Sequence, residues 1–183
     1  MHYVITGNIG CGKSTAIKEL KLLLPEFSFY SIDDIVAQAY RDETIKSQLQ
    51  AMLGVSEKHQ VRELFFSNPQ SKSTVESIIN PFVNKQLQDI LSKDENSITE
   101  YPVVFEYNQV HLFDKVIFLY ADDEIRVQRV IQRNGFTRDQ VQAVMQKQLP
   151  QETKMNAAHY VVMNNGDIET LKQELSALAE SIK

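Results

Sequence analysis

Gly7, Asn8, Ile9, Gly10, Cys11, Gly12, Lys13 and Ser14 follow the spacing G-x-x-x-x-G-K-S. Glycines at these positions let the backbone bend until successive N–H groups converge on an anion. Lys13 supplies a positive charge for the β- and γ-phosphates of a nucleoside triphosphate, and the Ser14 hydroxyl is a ligand for Mg²⁺. The helix that starts here points its positive end at the same place. The stretch Asn8, Ile9, Gly10, Cys11, Gly12, Lys13, Ser14 and Thr15 is therefore the expected binding loop for ATP, with Mg²⁺ as its companion ion. Cys11 lies within the loop and contributes its backbone.

Other residues carry chemistry that their neighbours do not settle. Asp33 and Asp34 follow a short apolar run. A carboxylate there can take a proton from an acceptor hydroxyl, or it can cap the next helix, whose positive end it suits. Glu106 follows Val104 and Phe105 and reads as the end of a strand, where ligands meet parallel sheets. It also fits a solvated strand end. Arg129 and Arg133 are one helical turn apart and share a face. They can bring positive charge to a migrating phosphoryl group, or form a solvated helix surface together with Arg126 and Arg138. Lys154 has the same two readings. Arg62 could hold an acceptor phosphate. His2, His59, His111 and His159 lack metal-ligand spacing.

The elements that position these residues alternate between two periods. Tyr3–Thr6, Phe27–Ser31, Pro102–Phe105, Val116–Tyr120 and Tyr160–Met163 are short apolar runs and read as strands. Between them lie helical patterns: Lys13–Leu24, stopped by Pro25; a stretch opened by Asp33; Ile45–Leu91, broken near Gly54, Asn68-Pro69 and Asn80-Pro81; Asp122–Arg133; and a piece starting at Thr137. Ile168–Ile182 forms a closing helix. Strands joined by helical crossovers predict an α/β fold, a five-stranded parallel sheet with helices on both faces. The carboxyl ends of its strands are where ligands sit.

The chain has 183 residues, 43% hydrophobic and 23% charged, with a formal charge of −5. This suits one domain with a real core. An acidic chain without a basic stripe is poorly suited to gripping a nucleic-acid polymer. The single cysteine excludes an internal disulfide framework and agrees with a reducing cytoplasm. No run reaches the length of a membrane span, and the opening residues do not read as a signal peptide. The expectation is a soluble cytoplasmic protein, a monomer or weak homo-oligomer, acting on small nucleotides.

The order of these pieces resembles the dephospho-CoA kinase family along nearly the whole chain. Thr6 to Thr15 is similar to that family's T-G-G-I-G-S-G-K-S-T, and Asp34 to Gln38 to the segment that opens with its catalytic aspartate. Val61 to Pro69 resembles L-R-E-x-x-F-x-x-P, and Pro102 to Glu106 resembles P-L-L-F-E. Arg129 to Arg133 resembles R-x-x-x-R at the start of a lid. Gln148, Lys154 and Asn164-Asn165-Gly166 fall where the family has Q, K or R, and N-x-G.

The resemblance implies a P-loop kinase core (about 1–37, 99–128 and 158–183), a helical acceptor-binding region (about 38–92) and a helical lid (about 129–154). It implies ATP-dependent phosphorylation of the ribose 3′-hydroxyl of dephospho-CoA. It assigns the general base to Asp34, charge stabilisation to Lys13 and Arg133, Mg²⁺ binding to Ser14, and ATP contacts to Arg129 and to Asn164 near the base. Arg62, Glu106 and Asp34 fall to the acceptor. The chain departs from the pattern at Asp33-Asp34 in place of D-x-D, so either aspartate can occupy the catalytic place. It departs again at Asn80-Pro81 in place of H-P and at Ala158-His159 in place of A-D. The stretch Leu53–Val61 is shortened and lacks the D-G-x-[LI]-[DQ]-R element. A kinase of nucleoside monophosphates or other small nucleotides, and a non-catalytic ATP-binding switch, remain the alternatives.

Overall fold

The apolar run after Met1 becomes β1 (His2–Thr6), the middle strand of a five-stranded parallel sheet ordered β2-β3-β1-β4-β5. The others are β2 (Ser28–Ser31), β3 (Ser97–Glu100), β4 (Lys115–Tyr120) and β5 (Tyr160–Met163). β1 pairs with β3 through Tyr3↔Ile98 and with β4 through Ile5↔Ile117. β4 pairs with β5 through Leu119↔Val162. The computed structural model describes residues 1–183, divided into two compact units: Met1–Tyr30 with Asp94–Lys183, and Ser31–Lys93.

In the first unit, Tyr3, Ile5, Ile98, Ile117, Leu119 and Val162 share one side of the sheet. They pack with Ala16 and Leu20 of α1 (Lys13–Leu23) and with Leu171, Leu175 and Leu178 of α9 (Ile168–Ile182). The alternate residues Val4, Thr6, Thr99, Val116 and Phe118 are equally buried on the other side. Burial of both faces is why β1 and β4 carry near-continuous apolar runs rather than alternating, whereas β5 leaves Val161 and Met163 exposed. No helix is long and apolar enough to cross a membrane.

The third strand lies earlier than the sequence suggested, at Ser97–Glu100 instead of Pro102–Phe105. Tyr101 still donates its N–H to the Ile5 carbonyl at 3.1 Å. Pro102 has no N–H with which to continue the ladder, and Pro102–Tyr107 is a run of turns. Glu106 therefore sits in a turn past the strand and does not end it.

Three further helices of this unit follow β4. α6 (Asp123–Asn134) ends at Gly135 in the left-handed conformation, φ 67°. α7 (Arg138–Met145) opens with a reciprocal cap between Thr137 and Gln140. Val127 and Val130 of α6 and Val141 of α7 form a small buried cluster with Ile9 and Met145 beside it. α8 (Gln151–Asn156) was not expected; its signals are Pro150 at its start, Glu152 in its first turn and Lys154 in its last.

The second unit is helical: α2 (Ile32–Ala39), α3 (Glu43–Leu53), α4 (Lys58–Ser67) and α5 (Pro69–Leu91). α5 touches the other three. It runs unbroken through Pro81, where the sequence pointed to a break. An interior proline removes one hydrogen bond and costs about 3 kcal/mol. The buried stripe Val75, Ile78, Ile79, Val83, Leu87 and Ile90 extends on both sides of Pro81 and offsets that loss.

Candidate active site

The loop leaving β1 bends at two glycines with positive φ, Gly10 at +80° and Gly12 at +95°. Side chains rarely adopt such values. Space is short as well: a Cβ at Gly10 would lie 2.6 Å from the Arg126 carbonyl, and one at Gly12 would strike the Asn164 amide. Gly12 is the N-cap of α1 and carries no side-chain cap. The N–H groups of Lys13 and Ser14 thus open α1 with no backbone acceptor, as an anion requires, whereas that of Thr15 donates to the Gly12 carbonyl at 3.1 Å. The Lys13 ammonium folds over the loop, donating to the Gly7 carbonyl at 2.7 Å and the Asn8 carbonyl at 3.5 Å. Ser14 and Thr15 are exposed beside it, whereas the Cys11 side chain is fully buried.

Asn164, just past β5, supports the loop from behind. Its Nδ2 donates to the Cys11 carbonyl at 2.8 Å, and the side chain is almost entirely buried. Arg129 donates to the Asn164 carbonyl at 3.0 Å and toward its Oδ1 at 3.4 Å. Gly12, Thr15, Arg129, Asn164, Gly166 and Asp167 border a cleft of about 190 Å³. Arg129 and Asn164, which the family resemblance implied as ATP contacts, are brought together at the loop by the fold. Arg133 lies one turn further along α6, exposed, with its Nε on the Asn134 side chain at 2.8 Å.

A second group on the loop was not legible as a group. Lys154 is fully buried and donates to Asn8 Oδ1 at 2.8 Å and to Glu106 Oε1 at 2.6 Å. Burial pushes its ammonium below the ordinary lysine value, and the hydrogen bond and charge of Glu106 work against that. Glu106 Oε1 also accepts the Leu149 N–H at 3.1 Å, and Oε2 is buried without a partner. Ile9 donates its N–H to Gln148 Oε1 at 2.9 Å. Arg126, buried on α6, donates to the Ile9 carbonyl at 3.2 Å and pairs with Asp123 at 2.6 Å.

Asp33, Asp34 and Arg62 belong to the second unit. Ser31 is the N-cap of α2, accepting the Asp34 N–H at 3.4 Å. Neither aspartate caps the helix, and both are exposed in its first turn. Arg62 is exposed on α4, with its guanidinium 5.9 Å from the Phe66 ring centre.

Comparison with known proteins bears on the family and the fold. The family profile described as dephospho-CoA kinase matches residues 2–170. A dephospho-CoA kinase of Leptospira interrogans is 31% identical over 192 residues, covering 97% of this chain and 91% of its own. A crystal structure from Thermus thermophilus superposes with a TM-score of 0.83 at 28% identity, covering 100% of this chain and 98% of its own. A shikimate kinase from Bacteroides thetaiotaomicron, at 16% identity and TM-score 0.56, shares the fold, covering 100% of this chain and 98% of its own. A phosphate loop of this geometry, on a five-stranded parallel sheet and within a match of that length, means that the chain belongs to the dephospho-CoA kinase family.

Proposed function

We propose that the protein transfers the γ-phosphoryl group of ATP to the ribose 3′-hydroxyl of dephospho-CoA, giving coenzyme A and ADP. The observation that carries this reading is the phosphate loop: two left-handed glycines, an uncapped helix N-terminus and the Lys13 ammonium, in a chain matched to the family over residues 2–170. Neither a nucleoside monophosphate acceptor nor a non-catalytic switch is favoured by the relatives.

Within the Asn8–Thr15 loop, the N–H groups of Gly10, Gly12, Lys13 and Ser14, which have no backbone acceptor, bind the β- and γ-phosphates, and Lys13 neutralises charge as the bond to the leaving oxygen breaks. Arg129, beside the cleft at Thr15 and Asn164, faces the nucleoside end of ATP. The exposed Ser14 hydroxyl suits Mg²⁺, a hard cation usually held by few protein oxygens together with phosphates and water. When bound, Mg²⁺ shields the phosphate charge. Arg133, exposed on the lid (about residues 129–154), supplies further positive charge to the migrating group.

The second unit holds most of the acceptor region (about residues 38–92). Asp34 takes the proton of the attacking hydroxyl, with Asp33 as the adjacent carboxylate, and Arg62 holds an acceptor phosphate. Glu106, which the family resemblance assigns to the acceptor, carries one carboxylate oxygen with no protein partner. The new P–O bond forms at the 3′-oxygen, the β–γ bridging bond breaks, and ADP departs. The protein works in the cytoplasm on small nucleotides, as a monomer or weak homo-oligomer.

The test is ADP release from MgATP with dephospho-CoA and, separately, with a panel of nucleoside monophosphates. We expect release with dephospho-CoA, lowered about 10²–10⁴-fold in Asp34→Asn and little changed in Asp33→Asn. Release with a nucleoside monophosphate alone would move the acceptor assignment, and loss in Asp33→Asn but not Asp34→Asn would move the base.

A further inference from the structure

Four groups close a ring at the start of the phosphate loop. Asn8 Oδ1 accepts from Lys154 Nζ at 2.8 Å, and Lys154 Nζ donates to Glu106 Oε1 at 2.6 Å. Glu106 Oε1 accepts the Leu149 N–H at 3.1 Å, and the Leu149 carbonyl accepts from Asn8 Nδ2 at 3.1 Å. Both polar groups of Leu149 are thus clamped. The neighbouring Gln148 side chain takes the Ile9 N–H at 2.9 Å. Asn8 is 3% exposed and Lys154 0%, so water competes little with these bonds and each is stronger than at a surface.

Asn8 meets two ammonium groups. Its side-chain oxygen takes Lys154, while its main-chain oxygen, together with that of Gly7, receives Lys13. The two like charges oppose each other, and Lys13 adds to the lowering of the Lys154 ammonium. Glu106 answers the Lys154 charge directly, which leaves the charge of Lys13 for phosphate. Asn8 has no positive φ, so its backbone does not call for glycine. The resembling pattern nevertheless has glycine here, and a glycine could not close the ring.

We propose that Lys154 is a positioning residue for ATP binding, acting through the Asn8 carboxamide. It fixes the carbonyl frame at Gly7 and Asn8 from which Lys13 reaches the phosphates, and it couples that frame to the Gln148–Lys154 segment, which runs from the connection after α7 into α8. Neither side chain touches the nucleotide. The inference rests on the reading of this loop as the ATP site, but not on the identity of the acceptor. Because the frame serves ground state and transition state alike, its loss weakens ATP binding and leaves the saturated rate nearly unchanged.

The experiment measures MgATP affinity by titration, KM for ATP and kcat, and the melting temperature, for Asn8→Ala, Lys154→Met and the double variant. We expect Asn8→Ala to weaken ATP binding about tenfold with kcat within about twofold, and Lys154→Met to weaken it at least as much. The double variant should bind no worse than Lys154→Met, because the two residues act as one connection. Unchanged ATP affinity in Asn8→Ala with a lowered melting temperature would overturn the proposal and make the ring a brace of the fold. Additive losses would overturn the coupling. Lys154→Met leaves Glu106 without its cation; if that protein does not fold, Lys154→Met with Glu106→Gln replaces it, and Asn8→Ala decides by itself. Failure of the acceptor reading would show as missing turnover with dephospho-CoA while ATP affinity still followed the ring.

Discussion

Nδ1 of His159 takes the backbone N–H of Val116 at 3.1 Å, while the His159 N–H donates to the Val116 carbonyl at 2.9 Å. Since the backbone donates, Nδ1 is the acceptor. A carboxylate two bonds from the chain could accept the same N–H, which gives a physical reason for histidine to stand where the resembling pattern has aspartate. We expect His159→Asp to retain stability and His159→Leu to lose about 1 kcal/mol, measured by denaturant unfolding. Equal losses in both would mean that the bond contributes nothing. The same accounting applies at Asn8 and Asn164: each is polar, buried and satisfied, and each fastens a different end of the phosphate loop. Their residue type alone suggests a turn, and only their partners show how they hold the loop.

Among the elements, α7 is held to α6 by the Val127, Val130 and Val141 cluster and by Arg138, which reaches both carboxylate oxygens of Glu124. Arg138, then Gln128, holds the Glu124 carboxyl at about 2 rather than 4.5. A carboxyl depressed in the folded state stabilises fully above its unfolded value and stops doing so as pH falls through its folded one. The contribution of this pair is therefore present above 4.5 and lost toward about 2. Both side chains are largely exposed, so solvent and salt screen the pair and keep the effect small. Glu124→Gln should melt slightly below the parent above that range, and the difference should vanish toward its acid end. A difference that persisted in acid would show that the pairing does not follow this carboxyl. α5 teaches the converse lesson: a strong local signal at Pro81 is overruled by a stripe of buried side chains packed along the whole helix.

For the whole molecule, on the proposed reading ATP binds first-unit residues and so stabilises the folded state by mass action, about 2.7 kcal/mol at a hundredfold excess over Kd. The melting temperature should rise with MgATP, and Lys13→Ala should remove most of the rise. Hydrogen exchange should slow at Gly7–Thr15 and around Asn164. Protection confined to Ser31–Lys93 would place the nucleotide in the second unit and contradict the assignment. The first unit carries the loop, Arg129 and Asn164, and the second carries Asp33, Asp34 and Arg62.

Sequence alone determined the phosphate loop, because glycine freedom, the lysine and the hydroxyl act within one short stretch. It also determined the parallel sheet, because its inner strands β1 and β4, buried on both faces, read as near-continuous apolar runs. It left the third strand misplaced: Pro102–Phe105 is as apolar as a strand, and only pairing with β1 places the ladder at Ser97–Glu100. The partnership of Lys154 with Glu106, 48 positions away, and with Asn8, 146 positions away, has no local signature. Such contacts depend on where the sheet carries the chain, so the tertiary structure decided them.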